Sequence, residues 1–248
     1  MRIGILKTGD LPDDVTARHG DYGDIFARLV QAQDPAIETV KIDVDGGKAL
    51  GDPRDADGWI VTGSRHGAYE DHPWIPPLEK FLREAVAQRI PVFGVCFGHQ
   101  ILAQALGGRV EKSSLGWGIG VQEYAMQMAP AWTSGLPERW SGIAIHQDQV
   151  IALPEGANVV AANTFCPFAV LAYGDLDAPH AASIQSHPEY TPELLRDLAS
   201  GRLGKKVPPE VLGPALDSLD TPVDNPGWVK VMVDFLKTGA ARRQSDAA

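Results

Sequence analysis

The stretch "PVFGVCFGHQILAQALGG" (residues 91–108) constrains the fold of this chain more than any other. Residues 91–95 carry no polar side chain, which suits a parallel strand covered on both faces. A helical pattern begins near Gly98 and stops on glycine. A strand that passes so quickly into a helix belongs to an α/β sheet, and Cys96 stands at the turn between Gly94 and Gly98. Small-x-nucleophile-x-small is the pattern of a strand-to-helix elbow. In so tight a turn the positions two before and two after the nucleophile crowd each other, and glycine relieves the clash. The strained backbone holds the side chain out into a cleft, and the helix N-terminus behind it favours the thiolate. The amide of Phe97 then points at any oxyanion formed on an attacked carbonyl. On these residues alone, a packed core thiol is the competing reading.

The rest of the first hundred residues repeats the alternation. Residues 2–6 read as a buried strand, and Ile25, Phe26, Leu29 and Val30 share one helical face. "IETVKIDV" and "GWIVTGS" read as the second and third strands. Residues 72–90 carry a helix with Leu78, Phe81, Leu82, Ala85 and Val86 at helical spacing. The pattern predicts an α/β fold, a three-layer, doubly wound, mostly parallel sheet. Between Gly108 and Tyr173 it changes to short strands and turns, expected to form a small antiparallel annex stacked on the sheet or extending it. "HAASIQSHPEY" gives one more strand. From residue 191 the chain reads as helical to about Leu236, interrupted by a loop at "SGRLGKKVPPE" and ending in a frayed "RRQSDAA". The expected organisation is a catalytic domain over 1–190 and a helical C-terminal extension over 191–248, packed on the same domain.

Charge narrows the function classes. A net charge of -10 argues against nonspecific binding to nucleic acid or to an anionic membrane. No run approaches the roughly 20 apolar residues of a membrane span, and the first ten residues do not form a signal peptide. Two cysteines, Cys96 and Cys166, are too few for a disulfide framework. A reducing cytoplasm is the expected setting. Cys166 lacks flanking glycines and precedes Pro167, so it reads as a packed thiol.

A thiol nucleophile needs an imidazole beside it and a group to orient that imidazole. Among seven histidines, His187 is the best placed, because it ends an apolar strand and is followed by Pro188 and Glu189. Residues two apart on an extended segment face the same side, so Glu189 can reach the imidazole. Pro188 biases His187 to an extended conformation. His99, on the same helix as Cys96, reads as a packing or capping residue, and His146 sits at a strand end where it can line the cleft. His19, His66 and His72 lie in polar loops, with His66 or its neighbours within reach of a substrate, and His180 lies in a turn. "VTGSRHGAYEDHPW" follows the third strand, so amides near Gly63 and Ser64 can supply a second oxyanion donor. No paired metal-ligand spacing stands out, which argues against a zinc site built from Cys96, His187 and Glu189, and thiol-based acyl transfer needs neither a metal nor an organic cofactor.

Taken together, these segments resemble the class I (triad) glutamine amidotransferases. "GVCFGHQ" resembles that family's G-x-C-x-G-x-Q elbow, "SHPE" its distal H-P-E, and "HQDQV" its H-x-D-x-V segment. The resemblance runs from about Met1 to Tyr190 and implies a flavodoxin-like sheet. It also implies Cys96 as nucleophile, His187 as base and Glu189 as its orienter. Phe97, Gly63 and Ser64 would then hold the oxyanion and the substrate, with Gln100, His146 and Asp148 near the cleft. Among family members the chain is most similar to stand-alone relatives of the amidotransferase half of GMP synthetase. It departs from many of them in placing Ser64 and Arg65 where Gly and Pro are usual. It carries neither an S-G-G-x-D-S loop nor a G-x-x-x-x-G-K-[ST] loop for activating an acceptor. The implied activity is hydrolysis of the γ-amide of glutamine or of a γ-glutamyl compound through a γ-glutamyl thioester. Three readings stay open: a protein that passes ammonia to a synthetase partner, a self-sufficient γ-glutamyl peptidase, and an idle binding module on the same fold.

Overall fold

The computed structural model describes residues 1–201 and 203–246. The first half alternates as expected except for one additional helix, α1: β1 (Arg2–Lys7), α1 (Asp13–His19), α2 (Tyr22–Gln33), β2 (Glu38–Asp43), β3 (Gly58–Val61), α3 (Ile75–Ala87), β4 (Val92–Val95) and α4 (Phe97–Ala105). Seven strands follow: β5 (Arg109–Lys112), β6 (Gly118–Met126), β7 (Arg139–His146), β8 (Asp148–Ala152), β9 (Ala157–Ala162), β10 (Val170–Tyr173) and β11 (Ala181–Ile184). The chain closes with α5 (Pro192–Ser200), α6 (Pro209–Asp217) and α7 (Asn225–Asp246).

The main sheet has the order β2-β1-β3-β4-β11-β10-β9-β6-β7, and β5 pairs with β8 in a small second sheet. The first five strands run parallel, with β1 flanked by β2 and β3, and β4 by β3 and β11. They form the doubly wound core expected from the alternation. The antiparallel strands β10, β9, β6 and β7 extend this same sheet rather than stacking on it.

Strand periodicity divides the core into two faces. Ile3, Ile5, Ile60, Phe93 and Val95 face the side covered by α2 and α7. Leu6, Trp59, Val61 and Val92 face the side covered by α3 and α4. The inner strands β3 and β4 therefore carry apolar residues or glycine at every position, because both faces are dry, whereas the edge strand β2 stays partly exposed and polar. α2 begins at a capping box between Asp21 and Asp24 and buries Ile25, Phe26 and Val30.

The C-terminal segment does two things. α5 and α6 place Leu194, Leu195, Leu198 and Ala215 in a third apolar cluster with Val15, Ile119 and Ile143. α7 returns across the sheet and buries Trp228, Met232, Phe235 and Leu236. This last helix runs to Asp246, past the expected stop near Leu236 and through most of the segment expected to fray. Ala240, Ala241, Arg242, Arg243 and Gln244 are strong helix formers. Arg89 also pairs with Asp246 at 3.1 Å near its end. Residues 247–248 of that segment lie outside the described residues, as does Arg202 of the expected loop. The rest of that loop holds a short 3-10 turn, Leu203–Lys205.

Candidate active site

The carboxyl ends of β3, β4 and β11 converge, as ligand sites in open α/β sheets do. β4 hands over to α4 at Cys96, which has φ 53 and ψ -102. Among the described residues only Cys96 and Arg89 combine a side chain with a positive φ. Strain of this kind persists where the surroundings over-determine it. A Cβ on Gly94 would lie 2.3 Å from the carbonyl oxygen of Gly98, the crowding expected of an elbow. Gly98 is restricted by a different neighbour: its Cβ would lie 2.2 Å from the carbonyl oxygen of Val61 on β3. The turn is thus closed from two sides, and the Cys96 amide donates to Ile184 of β11 at 2.9 Å.

His187 follows β11 and is buried with Glu189. Its Nδ1 lies 2.7 Å from Oε1 of Glu189, and its backbone amide donates to Ile143 of β7 at 2.8 Å. The Tyr190 ring packs on the imidazole at 4.1 Å. Nε2 of His187 has no hydrogen-bond partner among the described residues. Burial disfavours the charged imidazole, but negative charge on Cys96 and Glu189 outweighs it and pushes His187 up to about 10.

Gly63, after β3, lies against both groups. A Cβ there would stand 3.1 Å from Cε1 of His187 and 3.8 Å from Cβ of Cys96. Thr8 fixes this turn by donating to the carbonyls of Thr62 and Gly63 at 3.0 and 3.3 Å. Ser64 lines the adjoining cavity, of about 570 Å³, together with Cys96, Gln100, His146 and His187. Phe97 sends its ring into the core against Trp74 at 5.5 Å. Its amide stands at the first position of α4, where no intrahelical acceptor exists.

Two residues expected near the substrate prove to be tied into the scaffold as well. Gln100 spends its amide hydrogens on the Asp148 carbonyl at 2.8 Å and on Oε1 of Gln185 at 3.2 Å. His146 turns Nδ1 to the Asp148 carbonyl at 3.2 Å, and burial pushes it down to about 4. His99 packs, as expected, with Nδ1 2.8 Å from Oγ of Ser183. Cys166 is buried and pushed up to about 12 by burial, consistent with an inert packed thiol.

The cavity also takes in residues that sequence reasoning missed. Tyr69, Glu70, Lys112 and Trp117 come from loops and from the β5–β6 region, and Leu203 and Lys206 from the C-terminal extension. The glycine turn after β3 marked the loop that carries Tyr69 and Glu70, but not those two side chains. Nothing in the sequence marks Leu203 or Lys206, because only tertiary packing brings them to the site.

The doubly wound sheet thus carries a cysteine at a strand-to-helix elbow, near a buried His-Glu pair. The family described as "Glutamine amidotransferase class-I" matches residues 26–197, and the chain belongs to this family of enzymes. It is 28% identical to gamma-glutamyl peptidase 3 of Arabidopsis thaliana, over 90% of this chain and 91% of that protein. It is 29% identical to the glutamine-hydrolyzing GMP synthase subunit of Halobacterium salinarum, over 71% of this chain and 87% of that protein. A glutamine amidotransferase structure from Thermotoga maritima superposes with a TM-score of 0.74 at 19% identity, covering 97% of this chain and 98% of that one. That likeness bears on the fold alone. No helix among the described residues is long and apolar enough to cross a membrane.

Proposed function

We propose that the chain is a cytoplasmic cysteine amidohydrolase that cleaves γ-glutamyl amide bonds, with Cys96 as nucleophile, His187 as acid and base, and Glu189 orienting His187. The observation that carries this reading is the meeting of a strained Cys96 with a buried His187–Glu189 pair at one cavity. The Cys96 thiolate attacks the γ-carbonyl carbon and forms the C–S bond. The oxyanion is held by the Phe97 amide and by the Gly63–Ser64 turn. As the C–N bond breaks, His187 gives its proton to the departing amine. A water, deprotonated by His187, then adds to the thioester. The C–S bond breaks, the carboxylate leaves and the thiolate is restored. None of these steps draws on a metal or an organic cofactor.

The γ-glutamyl compound is favoured over free glutamine on two grounds. The similarity to a gamma-glutamyl peptidase covers 90% of this chain and 91% of that protein. The C-terminal extension also walls the cavity through Leu198, Leu203 and Lys206, and the cavity's volume of about 570 Å³ leaves room for a leaving group larger than ammonia. A second reading, an amidotransferase that hands ammonia to a synthetase partner, is supported by the similarity to the GMP synthase protein.

Purified protein assayed against glutamine and against γ-glutamyl dipeptides separates the two. Turnover of dipeptides without a partner is expected, and Cys96→Ala should abolish it. Dipeptide turnover retained in full by Cys96→Ala would overturn the mechanism. Turnover of glutamine only, stimulated by an added synthetase, would favour the second reading.

A further inference from the structure

The loop between β3 and α3 carries a second cluster on the wall of the cavity. Nδ1 of His66 and Nε2 of His72 both lie close to a single oxygen, Oε2 of Glu70, at 3.2 and 2.8 Å. The three atoms all fall within 4.8 Å of one another. A tetrahedral ion with bonds of about 2.0–2.1 Å sets its ligand atoms about 3.4 Å apart, so only small side-chain shifts separate this arrangement from a coordination set.

The loop holds these groups in place. Glu70 donates its amide to the Gly67 carbonyl and His72 its amide to the Glu70 carbonyl, each at 3.0 Å. The His72 ring stacks on Trp74 at 5.8 Å and 11°, and Trp74 packs on Phe97 beside the elbow. The side chains stay accessible to an ion, at 19% exposure for His66, 43% for Glu70 and 31% for His72.

We propose that His66, Glu70 and His72 form a binding site for a divalent transition-metal ion of the zinc type on the wall of the Cys96 cavity. Two imidazoles and one carboxylate are a common zinc donor set with a fourth position left open. His66 and Glu70 line the same cavity as Cys96, which places the ion on the cavity wall. On binding, the hydrogens on Nδ1 of His66 and Nε2 of His72 move to the opposite ring nitrogens through solvent. Arg65, whose Nε donates to Nε2 of His66 at 3.3 Å, must then release that nitrogen, and its exposed side chain can swing away. The site departs from the sequence expectation of no metal. Its His-x3-Glu-x-His spacing falls in an irregular turn, where neither helical nor strand periodicity brings ligands to one face. Metal binding at this loop does not depend on the reaction proposed above.

The test uses full-length Cys96→Ala protein, which removes the competing thiolate, titrated with Zn²⁺ by calorimetry and with Co²⁺ by absorption. One equivalent of Zn²⁺ is expected to bind, and Co²⁺ should give tetrahedral d–d bands without a thiolate charge-transfer band. Adding His72→Ala, or the shape-conserving Glu70→Gln, should weaken binding by more than the roughly 10-fold that loss of even an outer-shell partner costs. Adding His180→Ala, outside the cluster, should leave it unchanged. No binding to the Cys96→Ala protein at millimolar Zn²⁺ would overturn the proposal. So would binding that His72→Ala and Glu70→Gln both leave intact.

Discussion

Asn225 ties the last helix to the turn that carries His187: its Nδ2 donates to the His187 carbonyl at 3.0 Å and to the Tyr190 carbonyl at 2.8 Å. The side chain is buried at the start of α7, so water cannot replace it. Position of the imidazole therefore depends on a segment nearly forty residues downstream of it. Asn225→Ala removes both bonds and leaves the Tyr190 carbonyl short of a partner, a loss of about 1–3 kcal/mol. Urea unfolding should read that loss. Steady-state kinetics should show kcat falling by up to about 10²-fold, the cost of misplacing a reacting group by about 1 Å. Unchanged kcat would mean that the turn keeps its shape without the clamp.

The elbow glycines give a second prediction with an internal control. In Gly98→Ala the new Cβ meets the Val61 backbone at 2.2 Å, and backbone in mid-sheet cannot step aside. Overpacking of this kind costs about 1–3 kcal/mol, and more where strain is already stored. Gly213 lies inside α6 with nothing within 4 Å of its would-be Cβ. Pro214 follows, and its ring crowds a Cβ on the helical residue before it. That offsets the roughly 0.5–1 kcal/mol that replacing a helical glycine otherwise gains, so Gly213→Ala should stay close to the parent. Thermal melts should show a clear fall for Gly98→Ala and little change for Gly213→Ala.

Much of the parallel half of this fold was legible because both-sided burial writes continuous apolar runs, as at residues 91–95. Cys96 was legible for a different reason: Gly94 and Gly98 report a steric demand that few other turns make. His187 and Glu189 could be paired because two residues on extended chain share a side, a local rule that needs no tertiary knowledge. What stayed hidden depends on distant packing. The restriction on Gly98 comes from Val61, the cavity wall from Leu203 and Lys206, and the clamp on His187 from Asn225. α1 was missed because its seven residues bury only Val15 and show no apolar stripe. The end of α7 was missed because its alanines and arginines lack that stripe too, and helix propensity alone carries them.

Charge at the His187 pair gives a prediction about alkaline stability. The unfolded imidazole titrates near 6.5, whereas the folded one is pushed up to about 10, with Cys96 and Glu189 overcoming burial. The folded chain thus holds this proton where the unfolded chain has lost it. The stabilisation is complete below about pH 6.5 and disappears as pH rises through about 10. Glu189→Gln removes one of the charges that raise it, so the alkaline limb should move to lower pH. Denaturation midpoints measured from pH 7 to 10.5 in parent and variant give the comparison. Superimposable limbs would show that Glu189 does not set the protonation of His187.

The acid limb should depend on His99. Its ring is fully buried, Nδ1 is bound to Ser183, and Nε2 has no partner among the described residues. Burial, reinforced by His146, pushes it down to about 3. Here the unfolded chain takes up the proton first, so stability is intact above about pH 6.5 and is lost as pH falls towards 3. Each pH unit within that window costs up to about 1.4 kcal/mol. His146, pushed down to about 4, contributes over most of the same range, so no single substitution removes the limb entirely. In His99→Gln the amide can still reach Ser183 but carries no titrating proton. Between pH 7 and 4.5 this variant should lose roughly 1–2 kcal/mol less stability than the parent, whatever its starting value. Urea unfolding at the two pH values measures the difference directly, and equal losses in the two proteins would place the acid sensitivity elsewhere.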